Sequence, residues 1–425
     1  MWRQTPFIAC WIAVACGCAR DAPPPPAPVA RTEDVALQVL VVDEPQIAKA
    51  IERLRGDWAE LSGGSLTVTG IGLDDFSADN PQAADVVIYP ARYLGALIEQ
   101  ERIRPLRESI REAEALAFNE ILPAIREGEL AYGGAYYAVP FGSRVLIRVA
   151  RPDESAPAAV AEAETSSPDQ TSAAGETSSA EIPELPADQF AAALTLLAQA
   201  APKTSHPSQV AVLFDLESMT PKIDGPVFVR ALQELVAATE REREASTQSP
   251  QWQWWPPQRS EAPANVMRGD ASEVLPVSEY IYDANAGAWV KAATPSVVPL
   301  VGGKSWIGSV TAASRNAPAA FRLLAWLSGG SGQGAGGVSV APVRRGTADR
   351  LVEAALSRST YLQVPRILEV DSYLSTLDEY VRRALQGEVA PDEALKEAAR
   401  SWDEITGRVG RERQRSAYRK HLNLP

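Results

Sequence analysis

The stretch "VALQVLVV", residues 35–42, predicts a buried β-strand, because branched apolar side chains follow one another almost without interruption. Apolar residues then recur at helical spacing up to a glycine pair that ends the helix: Ile47, Ile51, Leu54, Trp58 and Leu61. "SLTVTGIG" and "ADVVIYP", residues 65–72 and 84–90, predict two further strands. Strands that alternate with helices predict a parallel sheet covered on both faces, and therefore an α/β fold.

Open sheets of this kind bind ligands beyond the carboxyl ends of their strands. Asp43, Glu44, Tyr89 and Tyr93 stand at those ends in the sequence. Taken singly, each is better explained as a polar loop residue or a half-buried ring than as a ligand contact. Their shared position makes this edge of the sheet the place where a site is expected.

Later segments continue the pattern of strands and helices. Residues 188–200 and 225–239 predict helices, and residues 209–216 and 297–310 predict strands, the second with a break at Gly302 and Gly303. Two amphipathic helices are predicted near the end of the chain from apolar residues at helical spacing: Leu374, Leu377, Val381 and Leu385, then Leu395, Ala399, Trp402 and Ile405.

The composition favours a globular protein with a sizeable core in two lobes or domains. The chain has 425 residues, of which 45% are hydrophobic and 22% are charged. Its net charge of −13 argues against a nucleic-acid partner, because binding phosphates requires a basic face. Residues 153–187 contain eight acids, no base and no aromatic ring. This segment cannot bury enough apolar surface to fold, so a disordered acidic insertion is predicted there.

The first 18 residues predict a lipoprotein signal peptide. A positive charge precedes an apolar stretch over residues 7–15, which is shorter than the roughly 20 apolar residues that span a bilayer. "AVACGCAR", residues 13–20, resembles a bacterial lipobox, with Cys18 as the predicted lipidation site and Cys16 as the alternative. An ordinary cleaved signal peptide is the other interpretation. Residues 19–34 are rich in proline and predict a semi-rigid tether to a membrane.

The sequence offers few groups for catalysis or for metal binding. Its two histidines, His206 and His421, are not at metal-ligand spacing. The glycine-rich residues 329–337 lack the lysine of a phosphate-binding loop and follow a helix, which argues against a nucleotide site. No Gly-x-Ser-x-Gly motif is present, and no pair of acids stands out as a glycosidase pair. We therefore expect neither an enzyme nor a protein with a metal or cofactor.

The tryptophans of "QWQWWPPQ", residues 251–258, suggest a ligand site, since a loop would leave them in water. Flat aromatic rings stack on the C–H faces of sugars, and a cleft with several rings and a few polar groups is typical of small-molecule sites. The candidate rings are Tyr89, Tyr93, Trp252, Trp254, Trp255 and Trp306. The alternative is that some of them fill the core, and we expect at least one of the three neighbouring tryptophans to be structural.

Four segments in this order resemble one family. They are residues 84–106, "ADVVIYPARYLGALIEQERIRPL"; residues 121–151, which contain "VPFGSRVLIRVAR"; residues 297–329, which contain "VGGKSWIGSVTAASRNAPAAF"; and the helical residues 371–422. The chain resembles the extracellular solute-binding proteins of ABC importers, in the branch similar to maltose-binding protein. The resemblance covers most of residues 36–425 apart from the acidic insertion.

The resemblance implies a type II periplasmic-binding-protein-like fold. Each of two α/β lobes would have a mixed, mainly parallel sheet flanked by helices, and hinge strands would join the lobes. The first lobe would comprise residues 35–143 and 296–342. The second would comprise residues 144–295 and 343–425, with the acidic insertion inside it. The ligand would be held between the lobes, which close around it.

The function implied is that of a lipid-anchored, extracytoplasmic monomer that delivers a sugar or oligosaccharide to an ABC permease. A ligand sensor or scaffold with the same fold and no transport role is the alternative. The six rings named above would stack on the ligand, while Ser143 and the backbone at Gly302 and Gly303 would supply hydrogen bonds.

Overall fold

The computed structural model describes most of the chain beyond its N-terminal segment. The described residues are 35–76, 83–113, 116–149, 189–203, 213–245, 251–255, 278, 280–292, 298–329, 344–346, 350–357 and 360–424. The predicted signal peptide, Cys16, Cys18, the tether and the acidic insertion lie outside these ranges. Among the described helices, none combines the length and the apolar character that crossing a membrane requires.

The chain begins with strands and helices that alternate as predicted. They are β1 (Ala36–Val42), α1 (Pro45–Arg53), α2 (Arg55–Ser62), β2 (Ser65–Ile71), β3 (Val86–Pro90), α3 (Leu94–Glu99), α4 (Glu108–Arg111), α5 (Pro123–Glu129), β4 (Ala131–Tyr132), β5 (Ala135–Tyr136) and β6 (Val139–Val149). The middle of the chain gives α6 (Ala191–Ala200), α7 (Pro226–Ala245), β7 (Gln251–Trp255), β8 (Tyr280–Asp283) and β9 (Ala288–Lys291). The last part gives β10 (Leu300–Val310), α8 (Ala317–Ser328), α9 (Arg350–Leu356), β11 (Leu362–Gln363), α10 (Val370–Leu385), α11 (Pro391–Val409) and α12 (Arg411–His421).

A seven-stranded mixed sheet runs through the molecule. Its order is β2-β1-β3-β10-β6-β7, and β11 pairs with β10. Strands β1, β2 and β3 are parallel, as the sequence predicts. Strand β10 is antiparallel to both β3 and β6, and β7 is antiparallel to β6. The α/β fold class is therefore confirmed.

Two hydrophobic cores lie against this sheet. The first core includes β1 and β3 together with side chains of α1, α2 and α8. The second core includes side chains of α6, α7, α10, α11 and α12. We call the parts of the chain that form these cores the first lobe and the second lobe.

Strands β6 and β10 contribute to both cores. On β6, Val145 and Ile147 belong to the first core and Leu146 to the second, because successive side chains of a strand point to opposite faces. On β10, Leu300 belongs to the second core and Ile307 to the first. These two strands connect the lobes. The exact lobe boundaries stay a prediction.

One local prediction was wrong: the tryptophan stretch is not a loop, since residues 251–255 form strand β7. The break predicted at Gly302 and Gly303 is an irregularity in the pairing of one strand and does not end it. Gly302 has a φ of 82°, and the pairing of β10 with β6 shifts register between Leu300 and Lys304, so the glycines produce a β-bulge inside a continuous strand.

A strand was predicted over residues 209–216, but residues 213–216, the part that the structure describes, do not form one. Residues 209–212 lie outside the described ranges, and the chain turns immediately afterwards. The Asp215 carboxylate accepts the backbone N–H groups of Glu217 and Ser218 at 3.1 and 3.0 Å. Such side-chain-to-backbone hydrogen bonds favour a turn over a strand.

Candidate functional site

A cavity of about 220 Å³ lies between the lobes. Residues at or just after the ends of β1 and β3 form one wall: Asp43, Glu44, Pro90 and Arg92. The connecting strands form the floor with Arg144 of β6 and with Gly303, Lys304, Ser305 and Trp306 of β10. The second lobe adds Gln189 and Phe190, which precede α6. The cavity therefore opens at the carboxyl ends of β1 and β3, where the sequence places a site.

Two carboxylates form the acidic side of the cavity. Glu44 is 8% exposed and caps α1, because its Oε1 accepts the Gln46 N–H at 3.2 Å. Burial raises the pKa of Glu44, although the Gln46 N–H and Arg144 act against that shift. Burial likewise raises the pKa of Asp43, against the effect of Arg92. Both carboxylates can accept hydrogen bonds from hydroxyl groups.

Three basic side chains face these acids. Arg92 and Arg144 are nearly buried, with 7% and 4% of their surface exposed. Lys304 and Arg144 are partners in the pairing of β10 with β6, so they stand side by side on the cavity floor. The Lys304 Nζ atom lies 5.5 Å from the centroid of the Trp254 ring. The cavity therefore combines cationic donors with carboxylate acceptors.

Trp306 is the indole ring that lines the cavity. It is half-buried, and its Nε1–H donates to the backbone oxygen of Val42 at 3.2 Å. This hydrogen bond fixes the ring beside the end of β1. Phe190 supplies a second aromatic face from the other lobe.

A buried carboxylate holds the connecting strands beside the cavity. Glu129, at the end of α5, accepts hydrogen bonds from Ser143 Oγ of β6 and Ser305 Oγ of β10 at 2.5 and 2.7 Å. It also accepts the Gly302 N–H at 3.0 Å. Burial raises the pKa of Glu129 to about 7, although these hydrogen bonds and Arg366 act against the shift. Glu129 therefore joins the two strands that connect the lobes.

The architecture of the chain is similar to that of solved structures of other proteins. No protein-family model matches the sequence, and no curated protein matches it. The sugar-binding protein MalE from Xanthomonas citri matches with a TM-score of 0.57 at 15% identity, over 88% of this chain and 98% of its own. An ABC substrate-binding protein from Listeria monocytogenes in complex with cycloalternan has a TM-score of 0.52 at 12% identity, over 88% and 100%. A cyclo/maltodextrin-binding protein complexed with maltotetraose gives 0.52 at 14% identity, over 89% and 98%.

The chain has the fold of the maltose-binding-protein-like solute-binding proteins of ABC importers. At these identities the likeness shows the fold alone. The predicted type II architecture is confirmed, and the cavity lies between the two lobes of this solute-binding-protein fold.

The predicted site residues occupy different positions within this fold. Gly303 and Trp306 line the cavity. Tyr93 lies beside it, and its hydroxyl donates to Asp371. The side chain of Trp255 lies outside what the structure describes, while its backbone pairs with Val145.

The other predicted residues contact the protein interior and do not line this cavity. Tyr89 is fully buried and its hydroxyl is 2.8 Å from Ser309 Oγ. Ser143 is buried on Glu129. Trp254 is buried in the second core, and the half-buried Trp252 donates its Nε1–H to Gln199 at 3.2 Å.

Sequence reasoning missed the basic residues that line the cavity. Arg92, Arg144 and Lys304 each stand next to a predicted residue in the chain, at Tyr93, Ser143 and Gly303. The search for stacking rings passed over these bases. The signal that could have found them was their position at strand ends and beside the glycine pair.

Proposed function

We propose that the chain is an extracytoplasmic solute-binding protein that captures a sugar between its lobes and presents it to an ABC permease. The observation that carries this proposal is the cavity at the carboxyl ends of β1 and β3, enclosed by both lobes and floored by the two connecting strands. The fold match supports it, because the matched proteins include a sugar-binding protein and complexes with cycloalternan and maltotetraose.

The chemistry of the wall suits a polyhydroxylated solute. Sugar hydroxyls both donate and accept hydrogen bonds, and the cavity offers acceptors at Asp43 and Glu44 and donors at Arg144 and Lys304. Trp306 offers a flat apolar face for the C–H surface of a sugar ring. The volume of about 220 Å³ is below the roughly 300 Å³ at which pockets for drug-sized ligands begin. A cavity of this size therefore favours a single sugar unit.

Lobe closure would complete the site. Gln189 and Phe190 come from the second lobe, whereas Asp43 and Trp306 lie beside the end of β1 in the first. A solute that contacts both walls binds the closed form more tightly, so it shifts the population toward closure. Strands β6 and β10 are the elements that would absorb the backbone change.

Binding can be tested on the purified protein with a panel of monosaccharides, polyols and maltodextrins. A ligand at about 100 times its Kd stabilises the folded state by about 2.7 kcal/mol, which a thermal melt detects. Replacing Trp306 by alanine should weaken binding at least about tenfold, or about 1.4 kcal/mol. Trp289→Ala is the control, since Trp289 lies on the β8–β9 hairpin and not on the cavity wall. If no compound raised the melting temperature, or if Trp306→Ala bound the ligand as tightly as Trp289→Ala, the proposal would fail.

Anchoring and delivery need their own tests. We propose that a lipid on Cys18, or alternatively on Cys16, holds the protein at the membrane. Metabolic labelling with a radioactive fatty acid should mark the wild-type chain. Of two variants that each lack one of these cysteines, it should mark only the one that retains the acylated residue. Removal of the gene should abolish uptake of the bound sugar. Uptake that persists unchanged would favour a sensor without a transport role.

A further inference from the structure

An ion pair joins the lobes beside the cavity. Arg92 follows β3 in the first lobe, and Asp371 lies in the first turn of α10, whose apolar side chains belong to the second core. Arg92 Nε donates to Asp371 Oδ1 at 2.7 Å. The Tyr93 hydroxyl donates to the other carboxylate oxygen. Both oxygens of one second-lobe carboxylate are thus held by donors from the first lobe.

Two more residues of the second lobe enclose the same guanidinium. Arg92 Nη2 donates to Gln189 Oε1 at 3.3 Å. The Arg92 Cζ atom lies 4.8 Å from the centroid of the Tyr93 ring and 5.6 Å from that of Phe190, which are cation–π distances. Tyr93 itself packs against both hydrophobic cores. The contacts therefore form a connected set, and those of Arg92 with Asp371, Gln189 and Phe190 exist only while the lobes are together.

We propose that Arg92, Tyr93, Gln189, Phe190 and Asp371 form an interlobe clasp that stabilises the closed form and positions Arg92 in the cavity wall. All five members are side chains of the protein, so the clasp contributes to closure whether or not a ligand is bound. Its effect on ligand affinity rests on the proposed function, because the apparent Kd equals the intrinsic Kd divided by the fraction of closed molecules.

Burial gives this contact its strength. In the pair, the Arg92 side chain is 8% exposed and the Asp371 side chain is 32% exposed. Exposed ion pairs contribute little, but a guanidinium that has been taken out of water and then loses its carboxylate is strongly unfavourable. Loss of the Asp371 charge should therefore drive Arg92 toward water, which it reaches when the lobes separate.

The clasp can be tested without any ligand by measuring a distance between the lobes. The sequence has three cysteines, at positions 10, 16 and 18, so replacing them by serine leaves a background for two spin labels. Glu60→Cys on α2 and Glu404→Cys on α11 place one exposed label on each lobe. Double electron–electron resonance then resolves closed and open populations as short and long distances.

Asp371→Asn should lower the ratio of closed to open molecules at least about fivefold. Glu379→Gln is the matched control, because it removes one negative charge from an exposed position on the same helix, and it should leave the distribution unchanged. Tyr93→Phe removes one hydrogen bond and no charge, and it should shift the ratio in the same direction by a smaller factor. Circular dichroism establishes that each variant is folded.

Two results would overturn the clasp: a wild-type distribution dominated by the long distance, or folded Asp371→Asn and Tyr93→Phe variants with the wild-type distribution. Either result leaves sugar binding untouched, and a failed sugar screen leaves the distance measurement valid. The two proposals can therefore fail separately.

Discussion

Glu129, which holds the two connecting strands together, shows how one buried carboxylate can make the stability of the protein depend on pH. Three hydrogen bonds stabilise its charge, yet complete burial outweighs them and raises its pKa from 4.5 to about 7. Because this pKa is higher in the native protein than in the unfolded chain, the native state keeps a proton that the unfolded chain releases. The stabilisation from this group is complete below pH 4.5 and is lost as the pH rises to about 7.

Replacing Glu129 by glutamine should remove this pH dependence. The amide keeps an acceptor for Gly302 and Ser305, and it can donate to Ser143, whose hydroxyl can rotate. A shift from 4.5 to about 7 corresponds to about 3 kcal/mol. Urea unfolding at a series of pH values should therefore show the wild type losing about 3 kcal/mol relative to the variant between pH 4.5 and 7, and a constant difference above that range.

The prediction concerns the difference in unfolding free energy between the wild type and Glu129→Gln, because another buried group gives the stability the opposite pH dependence. Burial and Arg366 lower the pKa of His421, so its contribution to stability is lost as the pH falls below 6.5. Glu112→Gln, at an exposed position, serves as the control and should follow the wild-type profile. Parallel profiles for the wild type and Glu129→Gln would show that the carboxylate is already charged at pH 5.

At the scale of elements, strand β7 shows which local pattern in the sequence carries the structure. The alternation of glutamine and tryptophan over residues 251–254 has the period of a strand, and it places Trp252 and Trp254 on one face. Both rings pack against the second core. The period of two was therefore the informative signal.

Trp254 also explains why β10 has a glycine opposite it. A Cβ atom on Gly303 would lie 2.5 Å from Trp254 Cη2 and 3.3 Å from Leu194 Cδ1. The φ angle of Gly303 is not in the left-handed region, so space and not backbone conformation requires this glycine. The indole fills the volume that the missing side chain leaves.

The pair Trp254 and Gly303 should therefore show strong coupling. Trp254→Ala should lower the free energy of unfolding by about 3–5 kcal/mol, and Gly303→Ala should lower it by about 1–3 kcal/mol. The double variant should be more stable than the sum of the two losses predicts, because the new methyl group occupies space that the indole has left. Chemical denaturation measures all three. Additive losses would mean that the two side chains do not compete for the same volume.

The difference between local patterns and contacts of distant residues separates what the sequence could predict from what it could not. The first three strands and helices α10 and α11 follow from hydrophobic periodicity, which is local. The cavity edge follows from the rule for open sheets. The wall itself depends on contacts such as Arg92 with Asp371, which are separated by 279 positions in the chain. No local pattern encodes such a pair, and a search guided by aromatic rings found Trp306 but not the bases.

At the scale of the whole molecule, the lobes share one sheet but keep separate cores. Two strands, β6 and β10, carry the connection, and Glu129 bonds to both. The lobes also meet through the clasp beside the cavity. The lobes are therefore joined in two ways, by a strand connection at the floor that depends on the protonation of Glu129 and by a polar contact beside the cavity that depends on an ion pair.

Salt should act on the clasp through its ion pair. Raising the ionic strength from about 0.1 M to about 1 M shortens the screening length from roughly 10 Å to 3 Å, which weakens an ion pair that is partly exposed. The net charge of −13 complicates this, because screening the self-repulsion of the chain favours its more compact form. Asp371→Asn separates the two effects, since it removes the pair and changes the net charge by one unit. We measure the ratio of closed to open molecules from the inter-lobe distances at low and at high salt. Raising the salt should lower this ratio in the wild type compared with its change in the variant. Equal salt dependence in both would mean that the Arg92–Asp371 pair contributes no net electrostatic stabilisation to closure.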